Sequence, residues 1–231
     1  MGKRIESFRD IGGLYDVALC DVWGVLHNGV TAYGESSVAL EAARAEGLAV
    51  VLITNSPRVA PRVVEQLRAI GVPDSAYDRI VTSGDVTRKL IAEGPKKVFL
   101  LGPERDIGIL EGLDVQRVEA GEAESIVCTG FFDDETETPE DYTNMLMAWS
   151  ARDVPLICAN PDLVVERGHR MIPCAGAMAA YYERLGGQTR IAGKPHQPIY
   201  DAAIAAAREV KNEFPLSRVL AIGDGMPTDV R

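Results

Sequence analysis

The feature that most constrains this chain is a rhythm. Eight short apolar runs, most ending in small or polar residues, alternate with longer stretches of helical character. The runs are Val17–Cys20, Leu48–Ile53, Arg79–Val81, Val98–Leu101, Ser125–Cys128, Pro155–Cys158, Thr189–Ile191 and Val219–Ile222. Runs this short and apolar read as strands buried on both faces. Strands alternating with helices imply a mostly parallel α/β sheet. Helices are expected at Ser36–Glu46 and Pro57–Ile70, closed by Gly47 and Gly71, and at Pro139–Ala151, Ala175–Leu185 and Pro198–Val210. At 231 residues the chain is long enough to bury two compact units.

Charge and composition narrow the classes of partner. Lys and Arg number 24 against 34 Asp and Glu, a net charge of −10, which argues against a nucleic-acid footprint or an anionic membrane surface. A small anionic ligand stays compatible, because a local metal ion and a lysine outweigh distant, screened charges. The longest aliphatic run, Leu48–Ile53, is far too short to span a bilayer, and the start Met1-Gly2-Lys3-Arg4 leads into Glu6 and Asp10 with no signal-peptide core. A cytoplasmic location is expected.

Several features have ordinary readings. Cys20, Cys128, Cys158 and Cys174 are scattered and read as buried, reduced small hydrophobes. His27, His169 and His196 are too dispersed to suggest a metal cluster. The acidic stretch Asp133–Thr138 reads as a solvated loop before a helix, and Met145, Met147 and Trp149 as packing residues. Neither Ile11–Leu14 nor Gly186-Gly187 completes a dinucleotide-binding glycine pattern.

In open parallel sheets, ligands gather beyond the carboxyl ends of the strands. Those ends are distinctive here. The first run delivers Asp21, the second Thr54-Asn55-Ser56, the seventh Gly193-Lys194-Pro195 and the eighth Gly223-Asp224-Gly225, followed by Thr228-Asp229. With those four strands side by side, Asp21 could attack phosphorus as a carboxylate nucleophile. Asp224 and Asp229 offer hard oxygen ligands to Mg²⁺, Thr54 and the amides around Asn55 can donate to phosphoryl oxygens, and Lys194 supplies a fixed positive charge.

In this arrangement the sequence resembles the haloacid dehalogenase superfamily, and within it the NagD-like class IIA branch. The matching motifs are Cys20-Asp21-Val22-Trp23-Gly24-Val25-Leu26, Ile53-Thr54-Asn55, Gly193-Lys194-Pro195 and Gly223-Asp224-Gly225-Met226-Pro227-Thr228-Asp229. Ala159-Asn160-Pro161-Asp162 and Ile172-Pro173-Cys174-Ala175-Gly176 look like the branch's succession of cap and core. The resemblance implies a Rossmann-like parallel-sheet core interrupted by a large inserted α/β cap. The core would take residues 1–95 and 188–231 and the cap residues 96–187. It implies Asp21 as nucleophile, Thr54, Asn55 and Lys194 as the phosphate grip, and a Mg²⁺ shell of Asp21, the Trp23 backbone carbonyl and Asp224, supported by Asp229. In the cap, Asn160, Asp162 and His169, with Arg167 and Arg170, would meet a small phosphorylated metabolite, unless 165–170 is simply an exposed hairpin. A homodimer through the cap is a further implication. The chain ends two residues after Asp229, where such a fold is expected to continue into a helix and a further strand.

One position departs from the pattern. The family's phosphatases usually read Asp-x-Asp in the first motif, the second Asp acting as general acid and base; here Trp23 stands there. An indole cannot shuttle a proton. Three chemistries stay open: a slow or specialised phosphatase with water or His27 in that role, a sensor that binds a phosphorylated ligand without turnover, and a transfer reaction that needs no such acid.

Overall fold

The computed structural model describes residues 4–5, 7–167, 169–226 and 228–229. Strands form at β1 (Val17–Asp21), β2 (Ala49–Thr54), β3 (Arg79–Thr82), β4 (Lys97–Leu101), β5 (Gln116–Arg117), β6 (Ser125–Cys128), β7 (Leu156–Cys158), β8 (Val164–Arg167), β9 (Arg170–Pro173), β10 (Thr189–Ile191) and β11 (Val219–Ile222). Helices are α1 (Arg9–Gly12), α2 (Gly34–Ala45), α3 (Ala60–Ala69), α4 (Ser83–Ala92), α5 (Thr143–Ser150), α6 (Ala175–Arg184) and α7 (Gln197–Val210). All eight apolar runs are strands, and the five expected helices form with shifted ends. Among the described residues no helix is long and apolar enough to cross a membrane.

By internal contacts the chain divides into two compact units. The first takes the chain up to Thr54, Val64–Val81 and the chain from Tyr200; the second takes Asn55–Val63 and Thr82–Ile199. The first unit is built on a sheet of order β11-β1-β2-β3. β1 is parallel to both neighbours, with Cys20 opposite Ile222 and Asp21 opposite Ile53. Every residue of β1 and β2 is buried, which explains their unbroken apolar sequences.

The second unit has its own five-stranded sheet, β10-β7-β6-β4-β5, with parallel pairing throughout. Alternate residues feed two separate cores, as the two-residue period of a strand requires. Leu101, Ile126, Cys128, Leu156 and Cys158 pack with Leu146 and Trp149 of α5 and Met178 and Tyr182 of α6. Leu100, Val127 and Ile157 pack with Ile91 of α4 and Ile109. The unit is thus a parallel sheet with helical elements on both faces.

Three expectations change. The strand before Lys194 does not join β1, β2 and β11: β10 pairs with β7 in the second sheet. Ser83–Ala92 is a helix that no apolar run announced, capped by the Thr82 side chain accepting from Asp85 N–H. The hairpin reading of the tract around 165–170 holds, β8 pairing antiparallel with β9. Within α5, Leu146 and Trp149 point inward and Met147 is 54% exposed, because 3.6 residues per turn cannot place neighbouring positions on one face. The four cysteines are free and buried, as expected.

The α5 assignment makes a direct prediction. Leu146→Ala should cost about 2–5 kcal/mol of stability through the lost transfer energy and the cavity left behind. Met147→Ala should stay within about 0.5 kcal/mol. Urea unfolding of both variants checks this, and equal losses would place the wrong face of α5 inward.

Candidate functional site

In the first unit three carboxylates converge. Asp21, at the end of β1, and Asp224 and Asp229, in the loop after β11, each bring an oxygen within 4.8 Å of the others. Register explains the meeting: β1 and β11 are adjacent and parallel, so both chains leave the sheet at the same edge. Asp21 is buried, and its Oδ1 accepts from Val22 N–H at 2.7 Å. Asp229 Oδ2 accepts from Gly225 N–H at 3.0 Å, while Asp229 N–H donates to the Gly225 carbonyl at 2.7 Å, closing the loop on itself. Tyr200 OH donates to the Thr228 carbonyl at 3.1 Å. Thr54 ends β2 one residue beyond the partner of Asp21 and is buried.

Glycine makes the approach possible at two points. Gly24 has φ +88°, and a Cβ there would stand 2.1 Å from Asp224 Oδ2, so only glycine lets the main chain after Trp23 run against that carboxylate. At Gly223 a Cβ would meet the Asp229 carboxyl carbon at 2.3 Å. Three clustered carboxylates are hard oxygen donors suited to a divalent cation such as Mg²⁺. Trp23, Asp21, Asp224 and Asp229 all lie in the first unit.

Trp23 is packed rather than loose. Its ring lies edge-on to His27, with centroids 5.1 Å apart and an interplanar angle of 67°. A Cβ on Gly29, which has φ +88°, would be 2.4 Å from the indole. His27 is buried, and its Nδ1 accepts from Gly29 N–H at 2.8 Å. Burial pushes its pKa down to about 4.

The second unit holds the remaining motif residues. Asn55 and Lys194 are both buried. Asn55 Oδ1 accepts from Lys194 N–H at 2.7 Å, and Asn55 Nδ2 donates to the Lys194 carbonyl at 3.1 Å and to Asp162 Oδ1 at 2.8 Å. Asp162 N–H in turn donates to Asn160 Oδ1 at 3.1 Å. A Cβ on Gly193 would come within 2.7 Å of Asn55 Oδ1 and Pro161 Cδ, so this crossing also needs glycine. The structure brings Asn160 and Asp162 to Asn55 and Lys194.

It does not bring His169 to them by any bond: His169 is exposed in the turn between β8 and β9. The flanking arginines, read as substrate contacts, are engaged elsewhere. Arg167 grips Asp134 through both nitrogens, at 3.1 and 2.8 Å, and Arg170 donates to Glu135 Oε2 at 3.1 Å. The Arg167 guanidinium holds the Asp134 carboxyl below the usual carboxylate range. The acidic stretch is therefore partly neutralised by the hairpin.

Sequence reading missed one buried charge. Asp106, in the turn of helix after β4, lies 3.4 Å from Arg58 Nε, and desolvation raises its pKa. Its signal was weak, because Arg58 and Asp106 are 48 residues apart.

A family model described as "Haloacid dehalogenase-like hydrolase" matches residues 18–116. Among solved structures, a haloacid dehalogenase-like family hydrolase from Brucella suis 1330 is 54% identical, with TM-score 0.97 over 98% of this chain and 84% of that one. A 4-nitrophenylphosphatase from Thermotoga maritima is 25% identical, with TM-score 0.70 over 95% of this chain and 82% of that one. A putative nagD protein is 25% identical, with TM-score 0.70 over 94% and 83%. No curated protein matches. An identity above one half across nearly the whole chain, on an α/β architecture of parallel sheets, settles kinship: this chain belongs to the haloacid dehalogenase-like hydrolases, in their NagD-like branch.

Proposed function

We propose that this chain is a Mg²⁺-dependent phosphatase that cleaves a small phosphorylated metabolite by passing the phosphoryl group to Asp21. The observation that supports this most is the convergence of Asp21, Asp224 and Asp229 behind two adjacent parallel strands. In this reading Asp21 is the nucleophile, Thr54 and the main chain at Asn55 donate to phosphoryl oxygens, and Lys194 supplies a fixed positive charge. Asp21, Asp224 and the Trp23 carbonyl hold the metal, and Asp229 keeps the Gly225 loop in place through the bond to its N–H. Mg²⁺, when bound, neutralises the attacking carboxylate and the phosphoryl oxygens. Residues 96–187 would serve as a cap that limits water and meets the leaving group.

Trp23 sets the kind of phosphatase. An indole cannot carry a proton, and His27 does not replace the missing acid. With a pKa of about 4 its ring is neutral at pH 7, and Nδ1 accepts from Gly29, which puts the proton on Nε2. That tautomer offers neither an acidic proton nor an available lone pair. General acid-base catalysis is worth about 10²–10⁴ in rate. Leaving groups that depart unprotonated, such as aryl oxides, suffer least.

Turnover of 4-nitrophenyl phosphate with Mg²⁺ is expected in the wild type and should vanish in Asp21→Asn and in excess EDTA. Metal-dependent phosphate binding with no release on any substrate would instead make this a binding protein. Trp23→Asp should raise hydrolysis of alkyl phosphates by about 10² or more, and aryl phosphates much less, if the absent acid limits the rate.

His27 also predicts a pH dependence of stability. Its folded pKa of about 4 lies below the usual 6.5, so the unfolded chain binds the extra proton more readily. Its stabilising neutrality is whole above pH 6.5 and erodes as pH falls toward 4, by about 2 kcal/mol at pH 5. In EDTA, His27→Asn, whose carbonyl can still accept from Gly29, should lose less stability between pH 7 and pH 5 than the wild type does. Parallel pH curves would show that His27 is not buried neutral.

A further inference from the structure

Asn160 and Asp162 sit where the family resemblance suggests contact with substrate, yet their bonds run toward the phosphate grip. Three hydrogen bonds form a chain. Asn160 Oδ1 accepts from Asp162 N–H, Asp162 Oδ1 accepts from Asn55 Nδ2, and Asn55 Oδ1 accepts from Lys194 N–H. The backbone of Asp162 is fixed from a second side, its carbonyl accepting from Gly176 N–H at 3.1 Å at the start of α6. A Cβ on Gly176 would stand 2.5 Å from that carbonyl, so the close seat depends on glycine there.

The amide of Asn55 is the pivot. It meets both the N–H and the carbonyl of Lys194, much as a neighbouring strand would, and it can do so in only one orientation. A primary amide turned by half a rotation would set its NH₂ against the Lys194 N–H. The Asp162 carboxylate accepts only from the NH₂ side, and so holds the amide in that same orientation. Asn55 and Lys194 are both buried, where water cannot substitute for a lost partner.

We propose that Asp162 is a positioning residue: it orients the Asn55 amide, which clamps the Lys194 backbone and so fixes where the lysine ammonium is carried, with Asn160 holding Asp162 in turn. This rests on the reading of Lys194 as the cation on the phosphate. The phosphoryl group is common to every substrate, so the loss of a positioning residue should be uniform across substrates. A residue that contacts the leaving group would instead alter the preference between them.

The test is the affinity of the full chain for inorganic phosphate in Mg²⁺, by titration calorimetry, together with kcat and KM on an aryl and an alkyl phosphate. Asp162→Ala should weaken phosphate binding about ten-fold or more and lower kcat/KM for both esters by the same factor. Asp162→Asn, which keeps an acceptor oxygen, should restore most of both. Adding Asp162→Ala to Asn55→Ala should change little further, since the two act through one bond. A change in KM for one ester alone, with phosphate affinity intact, would overturn the proposal, as would Asp162→Asn failing as badly as Asp162→Ala. Lys194→Ala separates the premise: if it leaves phosphate affinity unchanged, or the wild type binds no phosphate, the grip reading fails and takes the proposal with it. If phosphate binding falls as expected but no ester is hydrolysed, the positioning role stands and the phosphatase reading alone is lost.

Discussion

The structure of the first unit depends on placing an ionisable group at the end of a strand that is otherwise wholly buried. β1 lies between β2 and β11 with every residue inside, so its five positions cannot vary in polarity until the last. A buried carboxylate is costly unless donors or a cation face it. Asp21 meets that cost in part through the Val22 N–H, and it stands among two further carboxylates rather than apart from them. Like charges held this close disfavour one another unless a cation joins them, which gives the metal-dependent reading its physical basis. Part of the chain's net charge of −10 thus belongs to a cluster that is complete only with its counter-charge.

The second unit solves a related problem differently. Lys194 is at least as buried as Asp21, and its main chain is held directly by a side chain. Asn55 holds both backbone polar atoms of Lys194, and Gly193 lets the two segments close to a distance that no side chain would permit. In both units the polar residues lie at or just past the carboxyl ends of parallel strands: Asp21 at the end of β1, Asp224 after β11, Asn160 and Asp162 after β7 and Lys194 after β10. Parallel pairing carries these ends to one edge of each sheet, and glycines at Gly24, Gly193 and Gly223 remove the atoms that would hold the loops apart.

Much of this was legible from the sequence because burial on both faces leaves an unmistakable run of apolar residues. All eight runs are strands, and β1, β2, β6 and β7 are buried at every position. What the runs do not carry is partnership: nothing in Thr189–Ile191 says that it pairs with Leu156–Cys158 rather than with β1. The helix Ser83–Ala92 was also overlooked, though Thr82 followed three residues later by Asp85 is an N-terminal capping signal. The motif residues were visible one by one, and their kinds fit the chemistry. The bond between Asn55 and Lys194 was not, because the residues are 139 positions apart and asparagine after a strand has many ordinary uses. His27 misled for a similar reason: a histidine beside a motif suggests proton transfer, and only burial and the Gly29 N–H reveal it as a neutral packing element.

Trp23 is accordingly more than the absence of an acid. Its indole is accommodated because Gly29 has no side chain and adopts φ +88°, and its edge contact is with a histidine that stays uncharged. A charged imidazolium in that place would have to be solvated or paired, and desolvation opposes it. The three residues form one seat in the loop after β1, two, six and eight residues beyond Asp21. The loop is also held by hydrogen bonds, Gly24 N–H donating to the His27 carbonyl and Gly29 N–H to His27 Nδ1, each at 2.8 Å. The indole, the glycine at position 29 and the buried imidazole thus shape this loop together.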